Sequence, residues 1–456
     1  MPVIPILLAN VLAQTVGQTL VRAQVVRPLL GSLDPVPVFN SNNPEIVKTP
    51  GILLSSFPPQ GKRHPNAHLD FGFTGRFDLF FHHIARAIET PDQLQTLYLG
   101  AIVHNPTNLP VTLDIHQAAS YLSQPDAPFL PAAPMAANPL GQIFRGPGDR
   151  VTNTILRGRR QENFPAQLAI PPRSTRLLFS LPIPVAQLNP PLNGRSGLLR
   201  LRSSGKVYVA HLAMYAKTNP DGSERSPTLA EWQALLVEGN LAGPRESPPS
   251  PPDQLKGKEI YGRVAGIALG SRWQARLTDP GSNDLGIPHP GQAVSYGIST
   301  LLAGKMGTGQ NQSATLIKRY PGTAYQAHGN YGIEYNLTLP LSNPSDRSQI
   351  LVIRFATPLK EDQLSQPGLQ FRQPPFQQVF FRGSLRLRYT DDQKLPQTRY
   401  WHLVQQRGQM GAPLVTLNLP PGDRRFVQID LIYPADATPP QVITLETLKN
   451  SQIQLE

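Results

Sequence analysis

The stretch LYLGAIVHNPTNLPVTLDIH, from Leu97 to His116, decides the fold class of this chain. Apolar and β-branched residues alternate with others on both sides of the turn formers Asn105-Pro106-Thr107-Asn108, a pattern typical of two β-strands joined as a hairpin. A second stretch, YNLTLPLSNPSDRSQILVIRF, runs from Tyr335 to Phe355 and places Asn343-Pro344 at the corresponding position. The sequence therefore predicts an all-β protein with a related hairpin in each half.

Two further motifs recur in the second half of the chain. A Pro-Pro pair followed by Arg interrupts the apolar runs Ile170–Leu178 and Leu419–Val427, and Leu-Arg-Leu-Arg occurs at Leu199–Arg202 and at Leu385–Arg388. The order of these two motifs differs between the halves. We therefore expect two related kinds of β-sandwich rather than a simple duplication.

The length and composition support two domains built from short strands. The chain has 456 residues, of which 50 are Pro and 36 are Gly, which suits strands joined by many turns. We predict two β-sandwich domains, Ig-like or jelly-roll-like, at residues 24–238 and 259–456. A Pro-rich linker at 239–258 joins them, and a leader segment at 1–23 precedes them.

Only one segment reads clearly as a helix. Pro227–Glu238 carries an apolar face, with Ser226 as the expected N-cap and Gly239 as the stop signal. A short turn of helix is also expected after Thr90-Pro91-Asp92. The segment Gln117–Gln161, rich in Pro and Gly, is predicted to be a long irregular loop, and loops of this length in compact domains are usually functional or form a packed cover.

The N-terminus resembles an export signal that lacks its usual positive charge. Met1–Ala13 is apolar and ends in residues that a signal peptidase favours, although the first basic residue is Arg22. A buried first strand or a misplaced start are the alternatives. No later stretch reaches the roughly 20 apolar residues of a membrane helix. We expect an exported protein of the periplasm or the cell surface, with cleavage after Ala13.

The charge points to an acidic partner. The formal net charge is +12, and 31 of the 42 basic residues are arginines because 11 are lysines. The planar guanidinium group suits carboxylate, sulfate and phosphate groups, so an anionic polysaccharide is a natural ligand, although a basic surface can also serve solubility alone. The chain has no Cys, which excludes disulfides, thiolate metal sites and cysteine nucleophiles.

The repeated Leu-Arg strands supply the candidate ligand-binding residues. Alternation along a strand buries the leucines and places successive arginines on the other face, about 6.8 Å apart. This predicts an anion-binding surface formed by Arg200, Arg202, Lys206, Arg386 and Arg388. The alternative is a solvated sheet face whose arginines pair with carboxylates on a neighbouring strand.

Catalytic, metal and cofactor motifs are weak throughout. Six histidines lie between His64 and His116, but His82 and His83 are adjacent on a strand and point to opposite faces, so we predict no metal site. Asp78 and His82 share a face and could poise a general base, yet no nucleophile stands near them. The loop Gly304–Gly309 lacks the spacing of a phosphate-binding loop. We therefore predict no catalytic residues and no cofactor.

Long blocks of the sequence resemble the cyanobacterial domain-of-unknown-function 3370 family over nearly the whole chain from about Val26. The blocks that carry the resemblance include VFNSNNPEIV, GILLSSFPP, FDLFFHHIARA, YLSQPDAPF, NPPLNGRSGLLRLRSSGKVYVA, DGSERSPTLAEWQ, YGRVAGIALGSRWQA, AHGNYGIEYNLTLPL, PQTRYWHLVQQRGQ and PPGDRRFVQIDLIYP. The resemblance implies a cyanobacterial protein that often begins with an apolar leader. It supplies no catalytic or binding residues.

Taken together, these features predict a non-enzymatic envelope protein that binds an acidic glycan or another envelope component. It would use the arginine-bearing strands and the long Gln117–Gln161 segment. One alternative is an envelope hydrolase with a site near Asp78 and His82. Another is a structural scaffold whose arginines meet another protein. Nucleic-acid binding is not expected, because the basic residues are dispersed and no recognition motif is present.

Overall fold

The computed structural model describes residues 17–87, 94–251 and 259–449. The chain is mostly β, with 48% strand and 5% helix, which confirms the predicted all-β class. No helix in these residues is long and apolar enough to cross a membrane. The greater part of the leader, the turn at Thr90-Pro91-Asp92 and the end of the linker lie outside the described residues.

The first half of the chain contains fifteen strands and two helices, α1 and α2, in the described residues. They are β1 (Gln18–Arg22), β2 (Val25–Arg27), β3 (Ser32–Leu33), β4 (Pro37–Ser41), β5 (Ile46–Val47), β6 (Gly51–Ser55), β7 (Phe73–Arg86), β8 (Leu97–His104), β9 (Val111–Leu122), β10 (Met135–Ala137), α1 (Pro147–Leu156), β11 (Gln167–Ile170), β12 (Thr175–Ile183), β13 (Leu192–Tyr215), β14 (Lys217–Thr218), β15 (Glu224–Arg225) and α2 (Leu229–Glu238). A short 3-10 turn, Pro65–Ala67, precedes β7.

The second half contains fourteen strands in the same described part. They are β16 (Ala265–Leu269), β17 (Arg272–Arg276), β18 (Leu285–Gly286), β19 (Ala293–Ile298), β20 (Ala314–Arg319), β21 (Gln326–Ala327), β22 (Glu334–Ser342), β23 (Gln349–Ala356), β24 (Leu369–Gln373), β25 (Val379–Thr390), β26 (Pro396–Gln406), β27 (Pro413–Leu419), β28 (Arg424–Ile432) and β29 (Gln441–Thr447).

Three large sheets contain most of these strands. The first has twelve strands, with the path β11-β9-β13-β7-β4-β16-β20-β21 and with β5, β6, β8 and β12 attached. The second follows β10-β26-β25-β28-β22-β17-β3, with β18 beside β22, and the third follows β2-β19-β29-β23-β27. The 24-residue strand β13 is the centre of the first sheet, because its first part pairs with β7 and β9 and its second part with β6 and β8.

The two largest of four hydrophobic clusters in the described residues both include side chains of β7. Phe77, Leu79 and Phe81 belong to the cluster formed with β8, β9 and β13. Phe80, on the opposite face, belongs to the cluster formed with the second and third sheets. Alternate residues of β7 therefore pack into apolar layers on the two faces of the first sheet. This explains why β7 contains a long run of buried residues.

The two predicted hairpins are wrong, although their strands are correct. β8 pairs with β12 and β13, whereas β9 pairs with β11 and β13, so β8 and β9 are not partners. In the second stretch β22 pairs with β28 and β17, whereas β23 pairs with β27 and β29. Each Asn-Pro connection therefore leads the chain from one set of strands to another instead of folding it back on itself.

A buried asparagine fixes the first of these connections. The Asn105 amide donates to the backbone carbonyls of Leu109, Ile170 and Pro171, at 2.7, 3.0 and 3.1 Å. Its Oδ1 accepts from the backbone N–H and the hydroxyl of Thr107, at 2.9 and 2.8 Å. The side chain thus joins the Asn-Pro turn to the Pro-Pro turn between β11 and β12.

The second connection repeats this set of contacts. The Asn343 amide donates to the carbonyls of Arg347, Leu419 and Pro420, at 2.7, 2.8 and 3.1 Å. Its Oδ1 accepts from the backbone N–H and the hydroxyl of Ser345, at 3.0 and 2.7 Å. In each half, the asparagine of the Asn-Pro motif therefore binds the backbone at the Pro-Pro motif, so the two recurring motifs form one repeated set of contacts within the chain.

The predicted helix is present, and a second helix was missed. α2 begins after Thr228, not Ser226, because Thr228 and Glu231 form a capping box. Its Trp232 packs so closely on β8 that a Cβ on Gly100 would lie 2.4 Å from the indole ring. α1 occupies part of the segment predicted to be irregular. Its sequence, PGDRVTNTIL, is poor in strong helix formers, and contacts with β9, β13, β25 and β28 hold it in place.

The strands of the N-terminal segment pair with partners late in the chain. β1 pairs with β24, β2 with β19, β3 with β17, and β4 with both β7 and β16. Part of the predicted linker packs on the first half, since the Arg245 guanidinium donates to the carbonyls of Asn43, Ile52 and Leu53. The division into two domains stays a prediction.

Candidate functional site

Arg200, the central residue of the predicted anion surface, is buried. It lies on β13 opposite Asp78 of β7, and 8% of its surface is exposed. Its Nη1 donates to Oε2 of Glu334 at 2.5 Å, and its Nε lies 3.8 Å from Oδ2 of Asp78. Arg202 and Lys206, further along β13, are exposed.

Arg386 and Arg388 lie on β25, in the second sheet. Both donate to Oδ2 of Asp430 on β28, at 2.9 and 3.0 Å, and the Asp430 side chain is fully buried. The amide of Asn336 donates to Asp430 at 2.7 Å and to Glu334 at 2.8 Å. Both Leu-Arg-Leu-Arg strands therefore place an arginine opposite an aspartate of the adjacent strand.

These contacts join three of the five predicted residues into one polar network. It runs through Asp78, Arg200, Glu334, Asn336, Asp430, Arg386 and Arg388. This geometry corresponds to the alternative in which the arginines pair with carboxylates of neighbouring strands. The role of these residues in ligand binding stays a prediction.

Electrostatics keep Glu334, at the centre of the network, charged. Burial alone would raise the pKa of Glu334, but the charges of Arg200 and Arg272 outweigh it and hold the pKa at about 2. Burial raises the pKa of Asp78 against the opposing charges of Arg200 and Arg76. Neither carboxylate oxygen of Asp78 has a hydrogen-bond partner among the described residues. The ion pairs of Arg200 with Asp78 and Glu334 are therefore buried on both sides, where removing one partner is costly.

The histidines do not converge. His82 Nδ1 lies 2.7 Å from the Ser196 hydroxyl, whereas His83 contacts Ser41 and the Pro44 carbonyl. Within residues 17–87, 94–251 and 259–449, no group of three or more His, Cys, Asp and Glu side chains is placed to hold a metal ion. In the loop Gly304–Gly309, the first two backbone N–H groups donate to the Asp362 carboxylate.

Asp78 and His82, the candidates of the hydrolase alternative, line two different cavities. Asp78 lines a cavity of about 10 Å³, too small for a substrate. His82 lines a separate cavity of about 510 Å³ together with Glu45 and Asp436. His82 Nε2 lies 3.6 Å from Glu45, and burial raises the pKa of Asp436 to about 6. We call this the His82 cavity.

The long Gln117–Gln161 segment contains a strongly basic cavity. Its volume is about 510 Å³, and its lining includes Tyr121, Phe144, Arg150, Arg159 and Arg160. We call it the arginine cavity. No Asp or Glu lines it among the described residues, and none of its three guanidinium groups forms an ion pair there.

Local structure positions each arginine of this cavity. Arg150 projects from α1 between two rings, with its guanidinium carbon 4.1 Å from the centre of Tyr121 and 4.3 Å from that of Phe144. Arg159 and Arg160 follow α1 and are exposed, and Arg160 forms a β-bridge with Ala118 of β9. The sequence analysis identified the segment but not these residues; the run RGRR at 157–160 was the available signal.

Comparisons with known proteins place the chain in a family. The model described as "Protein of unknown function (DUF3370)" matches residues 24–447. The chain belongs to the DUF3370 family. No curated protein matches it.

Solved structures add little to this assignment. Lac15 from a marine microbial metagenome is 9% identical over 79% of this chain, with a TM-score of 0.08, and the chain spans 49% of Lac15. A single-substitution variant of the Bacillus subtilis oxalate decarboxylase is 9% identical over 83% of this chain and 74% of its own, with a TM-score of 0.09. Scores this low support no argument about fold or function.

Proposed function

We propose that this DUF3370 protein is a non-enzymatic envelope protein that binds an acidic glycan through the arginine cavity. One observation carries the proposal. Three guanidinium groups, those of Arg150, Arg159 and Arg160, line a single cavity without a carboxylate side chain among the described residues to neutralise them. Such a concentration of unpaired positive charge favours an anionic ligand.

The cavity suits a carboxylated or sulfated chain. Stacking between Tyr121 and Phe144 holds the Arg150 plane in one orientation, and a fixed guanidinium group can donate two parallel hydrogen bonds to a carboxylate. Arg202 and Lys206 extend this surface in the proposal. In the strand register, Arg202 of β13 lies opposite Asp114 on one edge of β9. Arg160 forms a β-bridge with Ala118 on the other edge of that strand.

The test is retention on immobilised polygalacturonate. Replacing Arg159 and Arg160 together with Gln should lower the salt concentration at which the protein elutes, because two of the three charges in the cavity are lost. The matched control replaces Arg176 of β12 and Arg399 of β26 with Gln; both are exposed, and neither forms an ion pair within the described residues. The two variants have the same net charge.

Equal elution of the two variants would refute the proposed site, because retention would then depend on overall charge alone. Stronger loss of retention in the R159Q/R160Q variant supports it. Unchanged retention of both would show that neither pair contacts the polymer.

The His82 cavity favours hydrolysis as a second candidate function. It combines a histidine, a carboxylate at 3.6 Å and a second carboxyl group whose pKa burial raises to about 6, a setting that suits a general acid. The same column experiment separates the two functions. Oligosaccharides with new reducing ends that are released into the eluate by the wild type but not by the Asp436→Asn variant would favour hydrolysis, whereas an eluate without released sugar favours binding.

The remaining expectations complete the proposal. We place the protein in the periplasm or on the surface of a cyanobacterial cell, after cleavage of the leader following Ala13, and with two sandwich domains. A mature N-terminus at Gln14, determined by mass spectrometry, would support export, and an intact Met1 would oppose it. A scaffold role toward another envelope protein stays a prediction.

A further inference from the structure

A separate cavity lies between the first sheet and the loops of the second half. Its volume is about 370 Å³, within the range of small-molecule sites. Asn40 of β4 and Asn42, which directly follows that strand, both line it, as expected for alternate residues of an extended chain. The opposite wall contains Tyr261, His328 and Lys360. This cavity shares no lining residue with the arginine cavity.

Three polar atoms of the residues that line this cavity lack partners. Asn40 and Asn42 are each 4% exposed, and neither side-chain carbonyl oxygen accepts a hydrogen bond from the described residues. The Nδ1 atom of His328 is also without a partner there. Buried polar groups are nearly always hydrogen-bonded in native proteins. A ligand that carries hydroxyl groups would supply the missing donors.

An aromatic platform forms one wall. The rings of Tyr261 and His328 stack with centres 4.2 Å apart and planes 23° apart. The Tyr261 hydroxyl donates to the Ala303 carbonyl at 3.1 Å and accepts from Lys360 Nζ at 3.3 Å. The hydroxyl therefore has both an acceptor and a donor partner, and Lys360 Nζ lies 5.3 Å from the centre of the Tyr261 ring. A rigid aromatic surface beside polar acceptors is the usual arrangement for stacking the apolar face of a sugar ring.

The charge of this cavity is positive. Lys360, Arg263 and Arg407 line it, and no Asp or Glu does so among the described residues. Arg263 pairs with Glu45, whereas Lys360 and Arg407 form no ion pair within the described part of the chain. Burial lowers the pKa of Lys360, against the charge of Asp362. Lys360 is exposed at the mouth of the cavity, where an anionic ligand group would compensate its charge.

We propose that this cavity binds a single sugar acid, with its carboxylate at Lys360 and Arg407, its hydroxyls at Asn40 and Asn42, and its ring on Tyr261. A uronic acid has all three features: one carboxylate, several hydroxyl donors and an apolar ring face. The inference does not depend on the arginine cavity, because it concerns a separate site that encloses one sugar unit.

The experiment measures binding of D-galacturonate to the whole protein by isothermal titration calorimetry. Lys360→Gln should weaken binding by about tenfold or more, since the hydrogen bond lost is one to a charged group. The matched control is Lys318→Gln, which removes an exposed lysine of β20. D-galactose, which lacks the carboxylate, should bind at least about tenfold more weakly than D-galacturonate.

The Asn40→Leu variant provides a second measurement that does not depend on charge. It removes an unpartnered buried carbonyl, so thermal stability without ligand should be maintained while galacturonate binding is lost. Absence of measurable galacturonate binding by the wild type would overturn the proposal, as would equal affinities for galacturonate and galactose. Binding that survives Lys360→Gln but disappears in the R159Q/R160Q variant would overturn it too, by assigning the sugar to the arginine cavity. A column experiment that shows no role for Arg159 and Arg160 would refute the arginine cavity only. It would not affect the calorimetric result, which concerns the separate cavity at Tyr261.

Discussion

Two asparagines show how single residues direct the chain. The motifs around Asn105 and Asn343 were visible in the sequence, and so were the Pro-Pro pairs that they contact. The sequence did not show which strands these turns connect. An Asn-Pro turn has the same chemistry whether the next strand folds back on the previous one or pairs with other strands. Strand partners are chosen by contacts distant in sequence, such as those of Asn105 with Ile170 and Pro171.

Replacing Asn105 with Ala should lower the free energy of unfolding by about 2–3 kcal/mol. The change removes the buried side-chain partner of three backbone carbonyls and of the Thr107 N–H. Asn343→Ala should cost a similar amount, because its contacts are the same. Urea unfolding measures both values.

Asn108→Ala is the control for this pair. Asn108 lies in the same turn but is exposed and contacts only the Arg173 side chain in the described structure. A loss for Asn105→Ala no larger than that of Asn108→Ala would contradict the role assigned to the buried amide.

At the scale of elements, the two Leu-Arg-Leu-Arg strands follow the predicted alternation only in part. Leu199 and Leu201 are buried in one cluster and Leu385 and Leu387 in the other, as expected. The sequence does not reveal that the arginine face of β13 is covered as well. Glu334, which binds Arg200, lies 134 residues away, and a single strand carries no signal for such a neighbour.

Arg200→Ala should therefore destabilise the protein by about 3–5 kcal/mol, because it leaves Asp78 and Glu334 buried with fewer compensating charges. Arg202→Ala, two residues further along the same strand and exposed, should change stability by no more than about 0.5 kcal/mol. Chemical unfolding of the two variants in parallel measures the difference. Similar losses in both would show that the buried ion pairs do not contribute as inferred.

At the scale of the whole molecule, the sequence predicted the all-β class and the family but not the path of the chain. β1 to β4 pair with strands more than 200 residues away, and no local pattern encodes such pairing. The arginine cavity could not be predicted from the sequence either, because tertiary contacts position α1 and the turn at Arg159. Composition predicted an acidic partner, and the structure places three arginines around one cavity that no Asp or Glu lines among the described residues.

Stability as a function of pH should depend on a buried chain of side chains. His83 Nδ1 must donate to the Pro44 carbonyl at 2.7 Å, so its Nε2 accepts from the Ser41 hydroxyl at 3.0 Å. Ser41 in turn accepts from His211 Nδ1 at 2.9 Å, and His211 Nε2 has no partner in the described residues. Both rings are therefore neutral. Burial lowers the pKa of His83 to about 3 and that of His211 well below its usual value.

Acidification should destabilise the protein through these rings. Unfolded histidine takes up a proton near pH 6.5, which buried His211 cannot do, so its contribution to stability is lost as the pH falls below about 6.5. In His211→Asn, whose amide can still donate to Ser41, the decrease in unfolding free energy between about pH 7 and pH 5 should be smaller by about 2 kcal/mol. The raised pKa of Asp436 changes the free energy of unfolding with pH in the opposite direction. This contribution cancels in the comparison, because the wild type and the His211→Asn variant both contain Asp436. His116→Asn, at an exposed position, is the control, and a pH profile for His211→Asn parallel to that of the wild type would show that His211 takes up its proton as readily in the folded protein as in the unfolded chain.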